Sequence, residues 1–307
     1  MILRENHSNE LIELPFTKIF FKLAIPNLYS TLIAAVTVIF DLWYIGQIGV
    51  SELAGVAYIF PIYMLTSMLS NGAFGGAISG AIARAFGSKN FFQAECVFRS
   101  AILIACFGSL VMMFIFFLLA EPFFTYFKVN KEVAISALSY GNFLLGGIFL
   151  IWLFNIIIAV TRGSGNTLIP AYSWSIVLFV HIIVASMNFN FENGTIVLIN
   201  NVNFFDEFFI FSSIQWSVVS LLSGYFIGIL FVLLFYYFGK HSFSFNLKDI
   251  FKINGIVKLL KSGSLASCQS LMTIALALFC TTVISIFGTN WTAGFGIAIR
   301  LELLLIP

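Results

Sequence analysis

The side chain best placed to do chemistry is a single carboxylate, Asp41. It sits in the otherwise apolar run LAIPNLYSTLIAAVTVIFDLWYIGQ, Leu23 to Gln47. A carboxylate inside a membrane segment is expensive, and by default it marks an ion or substrate site. Counted from Lys22, Asp41 lies roughly 28 Å along a helix, close to a full bilayer crossing of ~30 Å. Two readings follow: a working carboxylate, or an Asp that caps a helix end among the headgroups. Asn155 is polar near the middle of a long apolar segment, where it either lines a cavity or ties helices together. Tyr29, Trp43, Tyr58 and Tyr63 offer aromatic faces to a cation. The four cysteines, Cys96, Cys106, Cys268 and Cys280, have no CxxC spacing and read as small apolar core residues. There is no HExxH, no nucleophile elbow and no Cys/His cluster in the sequence. Enzyme chemistry, a cofactor, a metal and a nucleic-acid partner are therefore not expected.

These side chains need helices that hold them in a bilayer. The chain has 307 residues, 60% of them hydrophobic and 9% charged, and a mean hydropathy of +1.03. A soluble domain carries about 25% charged residues. The composition predicts an all-α, multi-pass membrane protein. Seven complete apolar spans are expected at 19–45, 55–83, 97–119, 135–160, 168–190, 212–238 and 256–287, with an incomplete one at 293–307. Each complete span exceeds the ~20 residues a membrane helix needs. Period-two alternation is absent, which excludes a barrel.

Charge sets the expected orientation. Arg4, Lys18, Lys22, Arg84, Lys89, Arg99, Arg162, Lys240, Lys248, Lys252, Lys258 and Lys261 all fall on one side of the alternating spans. That places the N-terminus in the cytoplasm of a cell (inner or plasma) membrane. The opposite side holds Lys128 and Lys131, balanced by Glu121 and Glu132, and the long connection from Glu192 to Phe211. Apolar pieces in that connection predict that it folds onto the outer surface. Asn193-Gly194-Thr195 within it is formally a glycosylation sequon.

A shift of 239 residues aligns Lys22–Met68 with Lys261–Pro307 without a gap. Lys22/Lys261, Leu32/Leu271, Phe40/Phe279 and Ile45/Ile284 pair, as does Gly49-x4-Ala54-Gly55 with Gly288-x4-Ala293-Gly294. Six spans separate the copies, so both enter the bilayer from the same side. That describes two parallel six-helix bundles. The expected organisation is a lead-in over 1–18, a first bundle over 19–240, a linker over 241–255, and the start of a second bundle over 256–307. Residues 293–307 give only ~22 Å of helix, so the chain reads as the N-terminal part of a protein of about twelve helices. A short natural form ending in a re-entrant helix is the alternative. Asp41 faces Cys280 in the repeat, so the carboxylate belongs to the first bundle only.

Two further motifs stand out. Gly72, Gly76 and Gly80 recur every four residues, with Gly75, Ser79 and Ala83 on a neighbouring row, which predicts a close helix crossing. Arg162-Gly-Ser-Gly-Asn-Thr-Leu-Ile-Pro170 joins two spans; its glycines turn the chain and Asn166 or Thr167 caps the next helix. It lacks a GK[ST] and a preceding strand, so it is not a nucleotide loop.

The ordered set of Pro26, Asp41, Gly46-x2-Gly49, Leu53-Ala54-Gly55, Ala83-Arg84-Ala85-Phe86-Gly87-Ser88-Lys89, Arg162-Gly163-x-Gly165-x4-Pro170 and Gly294-Phe-Gly296-Ile-Ala-Ile-Arg300-Leu-Glu302 resembles the multidrug and toxic compound extrusion (MATE) transporters. The resemblance covers about residues 15–307. It implies a secondary active efflux transporter of small, cationic amphiphiles, driven by proton or sodium antiport through alternating access. It implies an ion site in the first bundle built on Asp41, a pair of helix-5 amides, and a helix-6 hydroxyl. Here the first amide position is His181 and the second Ala185, a departure from the family. The hydroxyl is kept as Ser220, but the family's Gly-Ala-Ala is Gln215-Trp216-Ser217. His181 then couples to Asp41 as a titrating pair, and losing two amide oxygens favours a proton over sodium. The helix-rise count puts His181 only about 16 Å along its helix; Asn188, two turns on, lies nearer the level of Asp41. Tyr29 and Asn155 are candidates for the substrate cavity. The alternatives are a lipid-linked oligosaccharide flippase-like transporter, expected to line its cavity with Arg or Lys, of which only Arg300 falls in an expected span, and a non-transporting remnant. Neither the substrate nor the oligomeric state is legible.

Overall fold

Apolar segments separated by short polar turns dictate antiparallel helices, and the fold follows them. The structure, a computed structural model, describes residues 15–192, 195–198, 201–204, 209–238 and 256–304, with side chains for these except 189–210 and 300–304. Among the described residues the helices are α1 (Phe16–Ile48), α2 (Val50–Gly87), α3 (Phe91–Tyr126), α4 (Lys131–Gly146), α5 (Ile148–Gly163), α6 (Leu168–Ser186), α7 (Ser213–Phe238), α8 (Ile256–Ser285) and α9 (Thr289–Leu304). Six are long and apolar enough to cross a membrane, and α4 and α5, bent by 49° to one another, make a seventh if the pair is one span. Each of the seven expected spans coincides with one of these helices or with the α4–α5 pair, with helix ends within seven residues of the expected limits. The bend falls at Gly146-Gly147, where a Cβ on Gly147 would sit 2.2 Å from Leu222 of α7. Glycine there leaves room for the Leu222 side chain against the corner.

Helix starts are fixed locally. Asn90 caps α3 by accepting from the Gln93 amide at 3.0 Å, and Asn130 caps α4 by accepting from Glu132 at 2.9 Å. Asn166 accepts from the Ile169 amide at 3.2 Å, as the motif before α6 leads one to expect. The long connection between α6 and α7 is not wholly irregular. It contains two antiparallel hairpins, β1 (Phe189–Glu192) with β2 (Thr195–Leu198), and β3 (Asn201–Phe204) with β4 (Phe209–Ser212). The hairpins pair their own backbone groups. Asn193 and Gly194 of the sequon lie outside the described residues, as does the linker over 241–255; the lead-in is described only from residue 15.

The close crossing expected at Gly72, Gly76 and Gly80 is displaced. A Cβ added at Gly72 or Gly76 meets nothing within 4 Å, and at Gly80 only the Arg84 guanidinium, at 3.4 Å. The crossings lie elsewhere. A Cβ on Gly163 of α5 would come 2.6 Å from the Ser79 carbonyl of α2, and one on Gly224 of α7 would come 2.6 Å from the Val177 carbonyl of α6. The physical reason is a π-helical turn, Met68–Ala73, inside α2. Its extra residue rotates the later helix so that the Gly75–Ser79 row meets α5. Gly75 itself sits 2.8 Å, measured from a built Cβ, from the carbonyl of Ser70 five residues back.

Candidate functional site

Four helices meet around Asp41. Its helix, α1, packs against α6 and α7, and α4 closes the fourth side. Asp41 is only 6% exposed. Its Oδ1 accepts a hydrogen bond from Ser217 Oγ at 2.6 Å, and its Oδ2 accepts one from Tyr140 Oη at 3.2 Å. His181, fully buried on α6, brings Nε2 to 4.0 Å from Asp41 Oδ1. Across the ring, His181 Nδ1 lies 2.8 Å from Ser220 Oγ.

Hydrogen-bond bookkeeping assigns the tautomer. Ser220 has one hydroxyl proton and donates it to the Ser217 carbonyl at 2.7 Å. Its oxygen therefore accepts, and His181 Nδ1–H donates. The lone pair of the neutral ring is then on Nε2, which has no hydrogen-bond partner among the described residues and faces the carboxylate. Phe40 stacks edge-on against the imidazole, with centroids 5.0 Å apart, and holds its plane. A buried ionised carboxylate is tolerated only when paired or hydrogen-bonded. Asp41 has two neutral donors and, as its nearest basic partner among the described residues, one imidazole that accepts a proton on the near side.

The depth mismatch between Asp41 and His181 narrows to about 5 Å once helix starts are compared. α1 begins at Phe16, six residues before Lys22. The N-cap of α6, Thr167, lines the same cleft as Leu23, Ala24 and Asn27 of α1, so α6 begins beside the interior of α1. From that level Asp41 and His181 are about 26 Å and 21 Å further along. Rise measures depth only when both helices start together.

The structure therefore brings together Asp41, His181 and Ser220 and adds Ser217 and Tyr140, which the sequence reading missed. Ser217 carried a signal: it lies three residues before Ser220, on the same face of α7, at a position where the resembling family has Ala. Tyr140 carried none beyond its polar setting. Asn188 is fully buried, but one turn outward from Asp41, where its Nδ2 donates to Tyr44 Oη at 2.6 Å. Asn155 donates to Ser70 Oγ at 2.8 Å and so ties α5 to the π-turn of α2. Tyr29 meets Ser175 at 3.1 Å on the exposed side of α1 and α6. Neither Asn155 nor Tyr29 lines the cleft just described. The side chains of Arg300 and Glu302 lie outside the described residues.

That cleft, about 620 Å³, opens at the end of the bundle where the basic residues gather. Arg162, expected in a loop, belongs to the last turn of α5 and lines it. Arg162 Nη2 donates to Asn71 Oδ1.

A family model described as MatE matches residues 26–187. A relative named FAD transporter, from Shewanella oneidensis, is 25% identical over 179 residues, which cover 57% of this chain and 38% of that protein. A solved structure described as the inward-facing conformation of a multidrug resistance MATE family transporter of the MOP superfamily superposes with a TM-score of 0.74. It is 20% identical over 93% of this chain and 61% of that one. A second, from Pyrococcus furiosus and described as a MOP superfamily transporter whose reversed pocket polarity suggests a different function, has a TM-score of 0.75. It is 20% identical over 97% of this chain and 63% of that one. The chain thus spans less than two thirds of the length of these proteins, and the solved structures share its fold.

Proposed function

This chain belongs to the MatE family, and on that premise we propose that Asp41 and His181 form the proton site of a secondary active transporter. The carrying observation is His181 Nε2, without a hydrogen-bond partner among the described residues, held 4.0 Å from Asp41 Oδ1 in a buried site. Without a proton the pair carries one negative charge among apolar helices. One added proton, on either the carboxylate or Nε2, makes it neutral. That change weakens the electrostatic hold of the site on a bound cation and alters the tie between α1, which carries Pro26, and α4, α6 and α7. Proton entry from outside is thereby linked to substrate exit in an antiport cycle, with the basic end facing the cytoplasm.

A proton suits the site better than sodium. A hard cation is held by several oxygen ligands. The oxygens beside Asp41 are two hydroxyls that already donate to it, and the ring nitrogen stands where an amide oxygen would serve. The family resemblance supports an organic cation as exported substrate, matched to the charge of Asp41. A second reading, an anion-bearing aromatic substrate, is favoured by Arg162 in the cleft and by the relative named FAD transporter. The coupling is tested with His181→Gln in everted vesicles: pH-dependent substrate accumulation should be lost. Accumulation with an unchanged pH profile would remove His181 from the mechanism.

A further inference from the structure

The cleft at the basic end has a composition unlike that of the Asp41 site. Its walls include Phe16, Phe20, Asn27, Asn71, Gly76 and Arg162, and no carboxylate among the described residues lines it. Arg162 is the charged group there, and its Nε is buried without a hydrogen-bond partner. Its Nη2 is spent on Asn71 Oδ1, which orients the Asn71 amide so that its NH2 group remains a donor. A guanidinium with its Nε buried and no carboxylate partner among the described residues is costly, and an anion in the cleft satisfies both its charge and its fork of donors. The open row of Gly72 and Gly76 lets a ligand approach the α2 backbone, since nothing stands within 4 Å of a built Cβ at either. At the rim the rings of Phe16 and Phe20 stack with centroids 6.3 Å apart, an exposed pair able to cover a flat apolar body.

We propose that this cleft is a subsite for an amphiphilic aromatic molecule bearing a phosphate or carboxylate, with Arg162 as the partner of the anionic group. The proposal rests on the second transport reading, that of an anion-bearing aromatic substrate, because it places an entry subsite for that substrate at the basic end. A phospholipid headgroup carries the same phosphate, so the test separates the two sources. Purified protein in phosphatidylcholine nanodiscs is titrated with 1-naphthyl phosphate and with neutral 1-naphthol, which share one ring. The phosphate should bind about tenfold tighter or more, as a charge-assisted contact requires. Arg162→Gln should abolish that preference. Gly76→Leu, which fills open space on a helix, should weaken binding of both ligands while the melting temperature holds. Equal binding of the two ligands to the unaltered protein, or a preference that survives Arg162→Gln, overturns the proposal. Loss of naphthyl phosphate binding in phosphatidylglycerol nanodiscs overturns the substrate assignment in favour of a lipid headgroup. Asp41→Asn keeps the two readings apart: it should stop pH-driven transport and leave naphthyl phosphate binding intact.

Discussion

Replacing Ser217 with alanine removes one hydroxyl from the proposed coupling site and little else. The residue is fully buried on α7, alanine is nearly isosteric with it and favours the helix more strongly, and the lost group is the donor 2.6 Å from Asp41 Oδ1. A hydrogen bond to a charged acceptor contributes about 1.5–3 kcal/mol. One unit of pH corresponds to about 1.36 kcal/mol between the two protonation states. This bond favours the ionised carboxylate. Without it the site takes up its proton at lower proton concentration, so the midpoint of pH-dependent transport moves to higher pH. The bond from Tyr140 remains, which keeps the shift near the lower end, about one pH unit. The assay is the pH profile of substrate accumulation in everted vesicles, normalised to protein level. A midpoint that stays in place, or moves to lower pH, would refute the assignment of Asp41 as the coupling carboxylate held by Ser217.

Other outcomes follow from the same geometry. Tyr140→Phe should move the midpoint in the same direction by less, because its bond to Asp41 is 3.2 Å long; the same vesicle assay ranks the two. Asn155→Leu should destabilise the fold by about 1 kcal/mol through loss of the tie to Ser70, with transport retained, as a melting curve and an uptake assay together report. Gly224→Ala forces a Cβ against the Val177 carbonyl and should cost about 1–3 kcal/mol, seen as a lower melting temperature in detergent. Gly76→Ala enters open space in a helix and should instead stabilise by about 0.5–1 kcal/mol, a contrast of sign between two glycines of neighbouring helices.

The spans were legible because long apolar runs in a bilayer have essentially one solution. The π-turn of α2 was not, and with it went the register of the Gly72–Gly76–Gly80 row. A regular 3.6-residue count cannot reveal an inserted residue at Met68–Ala73. Asp41 was legible as an isolated carboxylate, and His181 only through the family pattern. Ser217 escaped because substitutions were read as lost packing and not as a gained donor. The apparent depth conflict between Asp41 and His181 came from assuming level helix starts, which no sequence periodicity supplies. Arg162 was placed in a loop by its glycine neighbours, whereas α5 runs on through Gly163 because that glycine packs under the Ser79 carbonyl. The two hairpins of the connection between α6 and α7 are too short to show a periodic signal.

The most direct test of the proposed coupling is transport by the purified protein in sodium-free proteoliposomes under an imposed pH gradient, compared with a sodium gradient at uniform pH. The account predicts accumulation under the pH gradient alone, lost in both Asp41→Asn and His181→Gln. Accumulation driven only by sodium, or persisting under the pH gradient in Asp41→Asn, would contradict it.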